Sequence, residues 1–210
     1  MRKNLLGILT ALLALLAATA LGLGFIHLTG FPYSADLGAL GIPEASGVPR
    51  AEAIANYDAV MAFLSPFSDG EFSLPTLAWS AEGAAHFADC KALFSGVYLA
   101  GGLAAVALVL IGLFGGFRDR KTLRVSATAT LAIPAALLAA VAIDFDGAFV
   151  LFHSVFFPGA TNWIFDEAVD PVIAILPAEF FLHCALVIAA FWVLASLLQF
   201  VCARRAAGKD

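Results

Sequence analysis

Two histidines have acidic residues at spacings that suit proton transfer. His86 lies between Glu82 and Asp89 in Ser80–Lys91, a stretch that predicts a helix. Helical spacing would place Glu82, His86 and Asp89 on one face, at i, i+4 and i+7. A carboxylate beside an imidazole fixes its tautomer and raises its basicity, as a general base requires. The same pattern also fits a simple helix start with solvated charges and an interfacial histidine.

The second histidine, His153, follows Phe152 in a segment rich in aromatic and acidic residues. Its polar and aromatic neighbours are Asp144 and Asp146 before it, and Trp163, Asp166 and Asp170 after it. An aromatic belt at a membrane surface with one hydrogen-bonded histidine is the simpler interpretation. Ionisable residues at membrane depth are costly, however, so they favour a functional role.

The elements that must position these histidines are membrane helices. The chain has 210 residues, of which 62% are hydrophobic and only 13% charged. Soluble proteins carry roughly 25% charged residues. Long uncharged apolar runs therefore predict an integral membrane protein.

Four apolar runs are long enough to span a bilayer. They predict transmembrane helices at about residues 5–28, 93–117, 125–143 and 177–203 of a single membrane domain, 1–210. Gly101-Gly102 and Gly115-Gly116 favour close helix approach. We expect a mainly α fold, a four-helix transmembrane bundle with a small extracytoplasmic cap formed by the segments before helices 2 and 4.

The first run has an alternative interpretation as a signal peptide, because a basic start precedes it and Ala17–Ala20 resembles a cleavage site. The run continues through Ile26, which suits a bilayer span better than a signal-peptide core of about 7–15 residues. We expect an uncleaved helix.

Basic residues predict the sidedness. Nine of the eleven fall at one face: Arg2, Lys3, Arg118, Arg120, Lys121, Arg124, Arg204, Arg205 and Lys209. The positive-inside rule places residues 1–4, 118–124 and 204–210 in the cytoplasm. Both termini are then cytoplasmic, and residues 29–91 and 144–176, with both histidine motifs, are extracytoplasmic. Since the opposite face keeps only Arg50 and Lys91, a nucleic-acid partner is not expected.

Two shorter elements are predicted in the first external segment. Residues 51–64 predict a helix, with Ile54, Tyr57 and Met61 on one stripe. Gly70–Trp79 fits a short strand or an extended segment. The three cysteines form no C-x-x-C pair, and we expect packing thiols.

The two histidine motifs resemble the signatures of a known family over roughly residues 51–181. The first signature comprises Asn56-Tyr57-Asp58 and then Ser80, Glu82, Gly83, His86, Phe87, Asp89, Lys91 and Phe94. The second comprises Phe152, His153, Phe156, Phe157, Trp163, Phe165, Asp166, Asp170, Pro171, Leu176, Pro177, Phe180 and Phe181. Cys90 departs from a position expected to be aliphatic. The chain is similar to the bacterial lipoprotein intramolecular transacylases.

The resemblance implies an enzyme of the bacterial cell membrane. It would move the sn-2 acyl chain of a diacylglyceryl-lipoprotein to the α-amine of the N-terminal cysteine, giving a lyso-form lipoprotein. His86 and His153 match the catalytic pair. Glu82, Asp89, Asp144, Asp146, Trp163, Asp166 and Asp170 are candidate supporting or substrate-binding residues. The expected partners are the diacylated lipoprotein and membrane lipid, with no cofactor and no metal.

Two other functions fit the same residues. A zinc-dependent membrane hydrolase would use Glu82, His86, His153 and an aspartate as ligands, although no H-E-x-x-H spacing supports it. A lipid-binding accessory subunit would leave a diacylated lipopeptide unchanged.

Overall fold

The structure is a computed structural model that describes residues 2–115, 117 and 119–206. The described residues form eight α-helices and a 3-10 helix at residues 171–175, and none of them is in a strand. They are α1 (Arg2–Thr29), α2 (Tyr33–Ala39), α3 (Ile42–Ser46), α4 (Arg50–Leu64), α5 (Ala81–Leu113), α6 (Arg120–Ile143), α7 (Phe145–Phe156), the 3-10 helix Pro171–Ile175, and α8 (Ala178–Ala206). The predicted segments that include Met1, Gly116, Arg118 and residues 207–210 lie partly outside the described residues.

Four of the described helices, α1, α5, α6 and α8, are long and apolar enough to cross a membrane. They expose many large apolar side chains, among them Leu21, Leu99, Val109, Leu113, Leu137, Leu194 and Leu198. An apolar surface of this extent is costly in water and suits contact with lipid tails. The predicted mainly α fold class with four membrane helices is confirmed. The assignment of segments to the two sides of the membrane remains a prediction.

The first of two compact units comprises residues 1–24, 97–145 and 186–210. Small residues bring its helices together, since a Cβ at Gly101 would overlap Ala20 and one at Gly22 would lie 3.0 Å from the Ile188 backbone. Hydrogen bonds add to this packing. Trp192 Nε1 donates to Thr19 Oγ1 at 2.9 Å, and Ser196 Oγ donates to the Ala127 carbonyl at 2.9 Å.

The second unit comprises Phe25–Gly96 and Asp146–Ala185 and has an aromatic core. The Tyr33 and Tyr57 rings stack at 3.8 Å, and Phe180 meets both edge-on. Such geometries suit the ring quadrupoles. This core joins α2, α4 and the start of α8.

Residues 70–79 have no strand, and side-chain contacts hold them in place instead. Asn56 Nδ2 in α4 donates to Thr76 Oγ1 at 2.6 Å, and Asn56 Oδ1 accepts from the Leu77 N–H at 3.3 Å. The Phe72 ring stacks on Phe87 of α5 at 4.6 Å. Residues 70–79 are therefore held against both α4 and α5.

Candidate active site

His86 lies in the second turn of α5, and Asp170 holds the start of that helix. Ser80 precedes the helix, and its hydroxyl accepts the Gly83 N–H at 2.9 Å, as an N-cap residue does. The Asp170 carboxylate accepts both the Ser80 N–H and the Ser80 hydroxyl, each at 2.7 Å. A Cβ at Gly83 would lie 2.5 Å from Asp170 Oδ1. The missing side chain therefore lets this carboxylate approach the helix.

His153 is positioned by its own helix, α7. Its Nδ1 atom lies 2.8 Å from the Phe149 carbonyl oxygen, one turn earlier. A carbonyl oxygen only accepts hydrogen bonds, so Nδ1 must carry the proton. In the neutral ring, Nε2 is then left with a lone pair, available to accept a proton.

The two histidines face each other inside the second unit. Their ring centroids lie 5.7 Å apart at an interplanar angle of 34°, and each residue is only 6% exposed. Trp163 stacks on His153 at 4.4 Å, while Phe157 and Phe165 meet the His86 ring edge-on at 5.2 and 5.6 Å. Aromatic side chains thus enclose a pair of imidazoles and exclude water from it.

Burial lowers the pKa of His153 below its ordinary value of 6.5, and the hydrogen bond to the Phe149 carbonyl offsets only part of this effect. Burial disfavours the charged ring, so the neutral form persists to lower pH. We expect His153, followed by NMR titration in detergent micelles, to protonate at a lower pH than the same residue in an unstructured 149–157 peptide. An equal or higher midpoint in the protein would contradict this environment.

The acidic residues that were predicted to support the site differ in their exposure and in their partners. Glu82, Asp89, Asp146 and Asp166 are exposed, whereas Asp170 is buried behind Ser80. Asp166 Oδ1 accepts the Ala168 N–H at 3.0 Å within its own loop. Asp144, also exposed, ends α6 and belongs to the first unit. The hydrogen-bond partners that the structure gives the two rings are the Cys90 thiol for His86 and the Phe149 carbonyl for His153.

Three contacts were missed from the sequence. Cys90 Sγ lies 3.4 Å from His86 Nε2, and the i, i+4 spacing on α5 was the available signal. Asn162 Nδ2 donates to Asp89 Oδ2 at 3.0 Å, and no sequence pattern singled out Asn162. His183 Nδ1 pairs with the buried Asp36 at 2.8 Å.

Whether these residues could bind a metal ion depends on how the possible ligand side chains are arranged. Among the described residues, no group of three or more histidine, cysteine or acidic side chains is arranged to hold a metal ion. The arrangement that the structure does show is two imidazoles in an apolar enclosure. Such a pair can take a proton from one reacting atom and deliver it to another.

Comparison with known proteins supplies the chemical context. The family model described as lipoprotein intramolecular transacylase Lit matches residues 5–181. The structure is similar to that of the membrane integral lipoprotein intramolecular transacylase Lit from Bacillus cereus, with a TM-score of 0.90, 30% identity, and coverage of 99% of this chain and 97% of that chain.

Two variant structures of the Bacillus cereus protein, with one histidine replaced by arginine or alanine, also match. Each has a TM-score of 0.85 and 30% identity, and covers 99% of this chain and 93% or 94% of its own. The comparison with curated proteins gave no significant match. The family model covers most of the chain and includes both histidines, so this integral membrane protein belongs to the lipoprotein intramolecular transacylase family.

Proposed function

We propose that His86 and His153 are the catalytic pair of an intramolecular O-to-N acyl transfer. The substrate is a diacylated lipoprotein, whose sn-2 acyl chain moves to the α-amine of its N-terminal cysteine to give the lyso-form. Family membership supports the acyltransferase activity. The observation that carries the site is the 5.7 Å separation of the two buried rings.

The substrate supplies part of the catalysis itself. The α-amine and the sn-2 ester belong to one molecule, and attack closes an eight-membered ring, so the effective molarity is high. The carbon–nitrogen bond forms and the carbon–oxygen bond to glycerol breaks. Of the three ammonium protons, one moves to the leaving oxygen, one goes to solvent and one stays on the amide nitrogen. The protein must therefore mainly move protons.

The two histidines divide this work. We assign His86 as the base that deprotonates the amine, and His153 as the group that polarises the carbonyl and protonates the leaving oxygen. The Nε2 lone pair of the neutral His153 ring must first receive a proton, and the neighbouring imidazole is a suitable source. General acid–base catalysis by positioned groups contributes about 10²–10⁴-fold in rate.

The reaction takes place at the extracytoplasmic face of the bacterial cell membrane, with both termini in the cytoplasm. The nine basic residues at the other face support this topology through the positive-inside rule. Membrane lipid and the substrate's acyl chains are the expected neighbours of α7. This helix exposes Val150, Leu151, Phe152, Val155 and Phe156. An apolar exposed face of this kind suits the membrane interface.

The function is tested with purified protein and a mixture of two synthetic diacylated lipopeptides. One carries a deuterated sn-2 chain, and the other carries a heavy-isotope peptide. Substrate and product are isomers, so tandem mass spectrometry must locate the acyl chain on the N-terminal fragment. We expect N-acylated products in which each chain remains on its original peptide, at a rate far above that of protein-free micelles.

The other outcomes are equally decisive. Exchange of labelled chains between peptides would contradict intramolecular transfer. Release of free fatty acid would indicate a hydrolase, and unchanged lipopeptide would indicate a non-catalytic subunit.

A further inference from the structure

Asn162 has an orientation that is fixed by Asp89. Its Nδ2 atom donates to Asp89 Oδ2 at 3.0 Å. A carboxylate can only accept, so the amide nitrogen must face Asp89 and the amide oxygen must point away from it. Asp89 thus determines the direction in which Asn162 Oδ1 presents its lone pairs.

Two buried atoms near this contact lack a partner. Asn162 Oδ1 and His86 Nδ1 are both inaccessible to solvent and form no hydrogen bond with any described residue. The Asn162 side chain nevertheless lies close enough to the His86 ring to interact with it. Buried polar groups are costly when unpaired, and a hydrogen bond between the two would satisfy both atoms. Because Oδ1 can only accept, the pairing requires a proton on Nδ1.

We propose that Asn162, held by Asp89, is a positioning residue that fixes His86 as the Nδ1–H tautomer and presents Nε2 as the proton acceptor. The inference rests on the proposed function, because it assigns the atom of His86 that acts as the base. It deepens that function by adding a residue from the loop after α7. Asn162 acts through His86 and does not itself touch the reacting atoms.

The contact made by Nε2, on the other side of the His86 ring, is consistent with this tautomer. Cys90 Sγ lies 3.4 Å from Nε2, and a thiol is a weak donor that can face a nitrogen lone pair. The titratable groups around His86 are Asp89 and Cys90 on its own helix and His153 on α7. His153 likewise carries its proton on Nδ1, so both rings present Nε2 atoms for proton transfer.

Kinetics of four variants test whether Asn162, held by Asp89, positions His86. Asn162→Leu is expected to lower kcat about 10- to 100-fold, the equivalent of one lost buried hydrogen bond. Thr161→Val, a similar change at the exposed neighbouring residue, should leave kcat within about twofold, as surface substitutions usually do. Asp89→Asn should retain most activity because its amide oxygen still accepts from Asn162, whereas Asp89→Leu should lose as much as Asn162→Leu.

A double variant tests whether Asp89 acts through Asn162. Asp89→Leu should cause no further loss in the Asn162→Leu background, because coupled residues are not additive. Additive losses would show a direct role for Asp89 and contradict its action through Asn162. Should Asn162→Leu fail to accumulate, Asp89→Leu on the exposed side of α5 removes the orientation without altering Asn162.

The tautomer itself is observable by NMR of protein with ¹⁵N-labelled histidine. The His86 signals, assigned by their loss in His86→Gln, should show a protonated Nδ1 and an unprotonated Nε2. Asn162→Leu should give a mixture of tautomers. A protonated Nε2 in the wild type, or unchanged signals in Asn162→Leu, would overturn the inference. An inactive His86→Gln beside a fully active Asn162→Leu would sink this inference alone, whereas an active His86→Gln would sink the proposed function.

Discussion

Replacement of His153 by asparagine is expected to lower kcat about 10²–10⁴-fold, the contribution of a positioned acid–base group, while the protein remains folded. The asparagine amide nitrogen occupies nearly the same place as Nδ1, so it can still donate to the Phe149 carbonyl, 2.8 Å from Nδ1 in the wild type. What it lacks is Nε2. The substitution therefore separates the structural hydrogen bond from the atom that moves protons.

The matched control is His183→Asn, at a histidine outside the proposed pair. This variant also keeps the Nδ1-type donor, here toward Asp36 at 2.8 Å, and should retain activity. The double variant His86→Gln/His153→Asn should be no slower than the slower single variant, because residues that act as a unit are strongly non-additive. An active His153→Asn enzyme would remove His153 from the mechanism.

The second large effect is expected at Asp170. Asp170→Ala should lower the free energy of unfolding by about 1–3 kcal/mol, because the partly buried partners of its carboxylate are left unpaired. These partners are the Ser80 N–H and hydroxyl, which open the helix that carries His86. We therefore expect kcat to fall as well, through displacement of His86. Tryptophan fluorescence during denaturant unfolding in micelles, with the acyl-transfer assay, measures both.

Two further variants sharpen the Asp170 experiment. Asp170→Asn keeps one acceptor for the Ser80 N–H and should fall between the wild type and Asp170→Ala. Glu167→Gln, an exposed change in the same loop, should match the wild type in both measurements. Wild-type stability in Asp170→Ala would show that the carboxylate does not hold the helix start.

The membrane helices were predictable because their signal is local. A bilayer span requires about 20 consecutive apolar residues, and this length is visible in the sequence without any tertiary contact. In two cases the predicted span starts five or more residues later than the helix, since α5 begins at Ala81 and α6 at Arg120. Capping explains the second difference, because the Asp119 carboxylate accepts the Thr122 N–H at 2.8 Å and begins the helix there.

The side-chain partners in the site were not predictable in the same way. Asp170 was a candidate supporting or substrate-binding residue, and in the structure it holds Ser80 across 90 residues of sequence. The contact between Asp89 and Asn162 likewise joins distant segments. Such pairs depend on how α5 packs against the loop after α7, which no local pattern encodes.

The aromatic residues after Asp144 fall into two groups, of which only one follows from composition. Their abundance suggested a segment at the membrane interface, and Phe152 and Phe156 are indeed exposed on α7. Phe157, Trp163 and Phe165 instead pack against the two histidine rings. Composition alone does not separate aromatic residues that meet lipid from those that enclose the imidazoles.

The most direct measurement of the paired-histidine mechanism is the rate of N-acylation by purified His86→Gln protein. Tandem mass spectrometry of a diacylated lipopeptide reports the position of the acyl chain, and the wild-type protein in the same micelles gives the reference rate. We expect the wild type to form the N-acylated isomer and His86→Gln, folded to the same extent, to form it at least about 100-fold more slowly. Wild-type rates in His86→Gln would contradict the mechanism.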